Sequence, residues 1–328
     1  MFGVKKTSLE DRAFGALRSA SPPVAPRLEF QARGRSQKVD LRQYCSPVED
    51  QLTLGACNAC SVVGSLEFLM IKAGKPLINL SPLFLYYNGR KLAGAEARDS
   101  GLMSHHATAA VMAYGVCEDK VWPYKVERLT NEPPRNCYMD ATRFEAVQYA
   151  RLSSSEEAKV SLSEGIPVVF GYDMPRSYYN AAATTGLMPN VGSYDAEPQA
   201  GHSMLVVGFD DTEKTWLARN SWGEDYGEKG YVRIPYELAN KYVWNDDMWV
   251  MGSLANLDRA RLLGPSVDEA VQNVQTHGAE EMNDALKKLA KEIGDDLKSR
   301  VDSAKTSIRD RLRAQEDELA RKREKKDP

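Results

Sequence analysis

The chain is predicted to adopt an α+β fold, with helices and strands segregated along its length. Three observations predict this. From Val39 to about Tyr124, apolar residues fall at helical spacing. From Val168 to Ile234, short runs rich in Val, Tyr, Leu and Phe alternate with turn residues. From about residue 278 onward, charge is dense and apolar residues are sparse but regular.

The elements follow in order. Residues 1–38 form an N-terminal extension, with Ser21-Pro22-Pro23-Val24-Ala25-Pro26 as an extended or loop stretch. A helix is predicted from Asn58 to Ile71, with Val62, Leu66, Leu69 and Met70 on its apolar face. The strands are predicted at Val168–Tyr172, Met204–Phe209, Thr215–Arg219 and Tyr231–Ile234. Residues 174–200, rich in Tyr, Ala, Thr and Gly, read as a long loop.

The tail, residues 257–328, differs in composition. Met282, Leu286, Leu289, Ile293, Leu297, Val301, Ala304, Ile308 and Leu312 span 30 residues in eight steps, about 3.7 residues each. That spacing predicts one long amphipathic helix, weakly interrupted at Gly294. Its apolar stripe needs a cover: a second copy, a protein partner, the chain's own surface or a membrane. Mixed charge signs favour protein over anionic lipid.

Bulk properties exclude several classes. With 43 Lys+Arg against 46 Asp+Glu, the net charge of −3 argues against nucleic-acid binding. No run is long enough to span a bilayer, and the first residues lack the apolar core of a secretory signal. Five scattered cysteines (45, 57, 60, 117 and 137) point to a reducing compartment rather than a disulfide scaffold. The expected location is cytoplasmic, or exported without a cleaved signal.

Cys57 is the candidate nucleophile. It follows the turn-permissive pair Gly55-Ala56 and stands at the N-terminus of the predicted helix, where unpaired amides and the macrodipole favour a thiolate. Cys57-x-x-Cys60 also matches a redox pair or half a zinc site, but no βαβ context and no second closely spaced ligand pair accompany it. Downstream, Gly201-His202-Ser203 opens one strand and Arg219-Asn220 closes the next, so a hairpin can bring His202 beside Asn220. His105-His106 suggests a metal, yet no carboxylate or cysteine is spaced to join the pair, and a packing or solvated role is expected.

Together, Asp50-Gln51 through Cys57, Gly201-His202-Ser203, and Asn220-Ser221-Trp222-Gly223 followed by Gly227-Glu228-Lys229-Gly230-Tyr231-Val232-Arg233-Ile234 resemble the papain-like cysteine peptidases, of a bacterial or phage type. In that family a Gln precedes the nucleophile by six positions and a Glu follows it by ten. Gln51, Cys57 and Glu67 fit those intervals and Cys60 does not. Asn58 departs from the plant enzymes, which carry Trp there.

The resemblance implies a two-lobed fold, with a helical lobe carrying Cys57 and a β-barrel-like lobe carrying His202 and Asn220, the peptidase domain spanning 39–256. It implies peptide-bond hydrolysis by an endopeptidase or amidase. Cys57 attacks, His202 moves the proton, Asn220 orients His202, and Gln51 with the Cys57 amide holds the oxyanion. Trp222 would shield the His–Asn pair, and Ser100 and Gly101 would lie beside the substrate backbone. No cofactor or metal is implied, and the partner is a protein or peptide substrate. The N-terminal extension would block the cleft or brace the fold. Two alternatives stay open: an idle binding module of the same fold, and a transglutaminase-like acyl transferase using the same thiol.

Overall fold

The computed structural model describes residues 7–19, 23–30, 35–144, 148–194, 201–252 and 260–291, with 294, 295 and 298. By compactness the chain divides into Met1–Ala285 and Leu286–Pro328. The first unit has the α+β, papain-like fold that the sequence predicts.

The helical part is built on three helices. α1 (Cys57–Lys72) is buried on every side from Cys57 to Phe68, as expected of a helix apolar around its circumference. It packs against α2 (Pro82–Leu92) and α3 (Ser104–Tyr114). Ser81 starts α2 by accepting the Phe84 amide at 3.1 Å, with Pro82 at the first helical position. A short helix, α4 (Arg135–Ala141), follows.

Among the described residues, the second part is a nine-stranded sheet. β4 (Val168–Tyr172), β5 (His202–Asp210), β6 (Thr215–Arg219) and β7 (Tyr231–Pro235) form an antiparallel run. β8 (Val243–Met251) joins β4 to β3 (Tyr149–Leu152), and β2 (Lys38–Asp40) pairs with β5. β4, β5 and β6 are buried almost throughout, because α1 covers β4 and β5. α5 (Ser155–Ser163) packs on β1 (Arg27–Phe30), β4, β5 and β8, and α7 (Tyr236–Tyr242) on β7.

Residues on both sides of the expected boundaries at 38 and 256 take part in this sheet. β1 (Arg27–Phe30) lies parallel to β3, and β9 (Ala260–Leu263) pairs antiparallel with β1. The expected loop 174–200 is not continuous loop. α6 (Arg176–Ala182) starts directly after Pro175, and residues 195–200 lie outside the described ones.

The tail helix, α8, begins at residue 267 rather than near 278. The reason is a capping box. Ser266 Oγ accepts the Glu269 amide at 3.2 Å, and Glu269 Oε2 reaches back to the Ser266 amide at 2.7 Å. Ala270, Val274, Met282 and Ala285 are buried, so the first turns cover the chain's own enzyme body. Gly294 is helical. Of the stripe, Ile293, Leu297, Val301, Ala304, Ile308 and Leu312 lie outside the described residues. Among the described residues, no helix is long and apolar enough to cross a membrane.

Candidate active site

Cys57 opens α1 as its first residue, and Ala56 before it supplies no side-chain cap. The helix-end amides are therefore free to face the sulfur. Backbone amides of Gly15, Ser203, Asn58 and Cys57 itself point at the thiol. Yet the side chain is fully buried, and burial pushes the thiol up to about 11 despite those amides. The thiolate expected from the helix terminus is thus suppressed in this state. Cys60, one turn on, is also buried, and burial, with Glu49 and Cys57 nearby, raises its thiol well above the ordinary range.

His202 is the first residue of β5, and Asn220 follows the last residue of β6. The antiparallel register, Leu205 opposite Arg219, brings the two together. His202 Nε2 and Asn220 Oδ1 are 2.8 Å apart. Asn220 Oδ1 also accepts the Ser221 amide at 2.8 Å, so the oxygen is the atom facing the ring. His202 therefore donates from Nε2, and its Nδ1 keeps a lone pair. That nitrogen is buried and takes no hydrogen bond. Burial, with a smaller contribution from Arg176, pushes the imidazole down to about 4. Trp222 lies 5.2 Å from the His202 ring at 41° and is 1% exposed, so it keeps water from the His–Asn bond.

Gln51 is locked to the same segment. Its amide donates to Ser221 O at 2.9 Å, and its Oε1 accepts from Ser221 Oγ at 2.5 Å. This fixes Nε2 as the outward donor. It reaches Leu54 O at 2.8 Å and Ala13 O at 3.0 Å. Glu67 Oε1 accepts the Leu80 amide at 2.8 Å and so ties α1 to the approach to α2. Asn58 makes a use of its position that a Trp could not. Its Nδ2 donates to Leu102 O at 2.5 Å and its Oδ1 accepts from Ser104 Oγ at 3.2 Å. Ser100 Oγ donates to Gly101 O at 2.9 Å.

A strap formed by residues 7–19 lies across Gln51, Cys57, His202, Trp222 and Gly101. Ala16 donates to Gly201 O at 2.9 Å, Leu102 to Gly15 O at 2.8 Å, and Leu17 to Leu102 O at 3.1 Å. The fit is close at Gly15, where a Cβ would run into the Gly55 carbonyl, and at Gly101, whose φ of +74° places it against Gly15. Phe14 meets Tyr179, His202 and Trp222 edge-on, at 5.2, 5.4 and 5.7 Å. Arg176 caps the Phe14 ring at 4.3 Å and donates to Leu9 O and Arg12 O at 2.8 and 2.9 Å. Arg12 pairs with Asp50 and donates to Trp222 O. The sequence reading gave no role to Phe14, Arg12, Arg176 or Ser221, because each acts only through partners far along the chain.

The expectation that His105-His106 lacks a carboxylate partner does not hold. Glu281 of α8 reaches both rings through Oε2, at 3.0 Å to His105 Nε2 and 3.4 Å to His106 Nε2. It comes from 175 residues downstream, beyond what local spacing reveals.

Comparison with known proteins agrees with this architecture. A model of the papain family cysteine proteases matches residues 35–250, which is 216 of the 328 residues. An uncharacterised peptidase C1-like protein of Acanthamoeba polyphaga mimivirus is 32% identical over 224 residues, covering 65% of this chain and 71% of the relative. Human cathepsin L2 is 26% identical over 62% of each chain. Among solved structures, xylellain, a cysteine protease from Xylella fastidiosa, matches with a TM-score of 0.66 and 27% identity, covering 77% of this chain and 98% of that one. This chain belongs to the papain family of cysteine proteases and is a cysteine-type peptidase.

Proposed function

We propose that the protein is a latent cysteine endopeptidase held shut by its own residues 7–19. The observation that carries this reading is the 3.0 Å bond from Gln51 Nε2 to the carbonyl of Ala13. The donor suited to a tetrahedral oxyanion is already held by a carbonyl of the strap, and Phe14-Gly15-Ala16 follow directly across Cys57 and His202.

Burial under the strap favours the neutral thiol and the neutral imidazole, so the pair rests uncharged. Release of the strap rehydrates both groups and lets the proton pass from Cys57 Sγ to His202 Nδ1. The thiolate then attacks the peptide carbonyl, and Gln51 Nε2 with the Cys57 amide holds the oxyanion. Collapse expels the amine, which takes the proton from His202 and leaves a thioester on Cys57. Water, deprotonated by His202, hydrolyses the thioester and restores the thiol. Asn220 holds the ring through Nε2, Trp222 shields that bond, and Ser100 with Gly101 forms the edge along which substrate backbone lies.

The substrate is a protein or peptide. The family match favours neither an idle binding module nor an acyl transferase. The free state of all five cysteines supports a reducing, cytoplasmic location. The first turns of α8 cover the enzyme body, and the apolar spacing in the sequence from Leu286 onward suits self-association or a protein partner. The test is hydrolysis of a fluorogenic peptide by the full chain, by Arg176→Ala and by Arg176→Ala/Cys57→Ala. Slow hydrolysis by wild type, faster hydrolysis by Arg176→Ala and none by the double variant are expected. Equal rates in all three would end the reading.

A further inference from the structure

Outside the cleft, the described residues contain one group of three metal-competent side chains gathered at a point: His105, His106 and Glu281, whose ligand atoms all lie within 4.8 Å of one another. We propose that these three residues form a divalent transition-metal site of zinc type, at the junction of α3, α8 and the strap.

The geometry supports this in three ways. First, a tetrahedral zinc with ligands about 2.0–2.1 Å away has ligand–ligand edges of about 3.3–3.4 Å. The edges from Glu281 Oε2 to His105 Nε2 and to His106 Nε2 are 3.0 and 3.4 Å. Second, two imidazole nitrogens and one carboxylate leave one position for water, a donor set that suits zinc and its neighbours rather than calcium or magnesium. Third, the helix that brings the carboxylate is shaped for close approach. Gly278 of α8 lies close against the end of α2, where a Cβ would stand 3.2 Å from Leu92 O, and beside α3, where it would meet His106 Nε2 at an ordinary 3.5 Å.

Both histidines are almost fully buried, so a metal held between them would be shielded from solvent on the α3 side. The carboxylate is set by the strap as well, because Ser19 Oγ donates to Glu281 Oε1 at 2.5 Å. His105 also lies nearly parallel to Trp249, 6.2 Å away. A metal here would join the start of α3, the first turns of α8 and the exit of the strap. Ser104, the residue before the pair, already bonds Asn58 beside Cys57.

The site is independent of the peptidase chemistry, and the test separates the two. Full-length Cys57→Ala protein, freed of metal with chelator, is titrated with Co²⁺ and then Zn²⁺. The expected result is one Co²⁺ per chain, with visible d–d absorption of a four-coordinate nitrogen/oxygen site and no thiolate charge-transfer band, displaced by one Zn²⁺. Glu281→Gln and His105→Gln, each in the same background and each checked for native circular dichroism, should lose affinity at least about 100-fold, the upper end of what outer-shell changes alone cost. Absence of binding by the parent protein, binding with a thiolate band, or undiminished binding in a folded variant would each overturn the proposal.

Discussion

Replacing Phe14 by Ala tests the strap where it covers the reactive groups. The ring is half-buried and meets Tyr179, His202 and Trp222, with Arg176 over its face. Full burial of such a side chain contributes about 1.5–3 kcal/mol. Each edge-on aromatic contact adds roughly 0.5–1.5 kcal/mol, and the guanidinium about 0.5–1 kcal/mol. These terms overlap and the ring is only partly covered, so the strap loses about 2–3 kcal/mol of holding free energy on truncation. At about 1.4 kcal/mol per tenfold, the open population rises roughly 30- to 150-fold. An epoxysuccinyl active-site probe reads that population as its second-order rate of attachment to Cys57, mapped by peptide mass. The rate should rise by that factor while the global unfolding midpoint stays close to wild type. A Phe14→Ala rate within threefold of wild type would refute the strap as the gate.

Three further outcomes follow. Closure should be tightest between about pH 6.5 and 9. The closed state holds His202 neutral, so its contribution, about 3 kcal/mol, is complete above 6.5 and lost as pH falls toward 4. It also holds the Cys57 thiol protonated, a contribution complete below 9 and lost as pH rises toward 11. Hydrogen-exchange protection of the Ala16 and Leu17 amides, corrected for intrinsic rate, should fall on both sides of that window, and protection flat from pH 4 to 7 would contradict it. In the Phe14→Ala background, Gln51→Ala should lower kcat about 100- to 1000-fold with little change in KM, as loss of an oxyanion donor does. An equal rise in KM would mark Gln51 as a binding residue instead. Ser266→Ala removes the Oγ that accepts the Glu269 amide, while the bond from the Ser266 amide to Glu269 Oε2 stays, and should cost about 1 kcal/mol, lowering the thermal midpoint by about 2 °C. An unchanged midpoint would show that the start of α8 adds nothing to stability.

Legibility followed the range of each interaction. α1, and the strands β4 to β7, were readable because periodicity is a local property of the chain. The His202–Asn220 bond was readable because one hairpin register sets it. The choice of Cys57 over Cys60 rests on the family's intervals to Gln51 and Glu67, and it is the proposal that the probe experiment below tests. The start of α8 is marked by the local signal Ser266-x-x-Glu269, which lies upstream of the apolar stripe that begins at Met282. α6 was hidden by the polar, small-residue composition around it. β1 and β9 pair across 230 positions or more, and no local pattern announces such a partner. Glu281 meeting His105-His106 is the same case. The charge states of Cys57 and His202 went the other way from expectation, because a helix terminus speaks for the thiolate while a strap laid over it removes the water that the charges need.

The proposed chemistry depends most directly on which sulfur reacts. The decisive measurement is the intact and peptide mass of the full chain after reaction with the epoxysuccinyl probe, in the Phe14→Ala background, for the otherwise unchanged chain, Cys57→Ala and Cys60→Ala. One adduct per chain on residue 57, kept in Cys60→Ala and absent from Cys57→Ala, is the predicted result. An adduct on Cys60, or one that survives in Cys57→Ala, would contradict it.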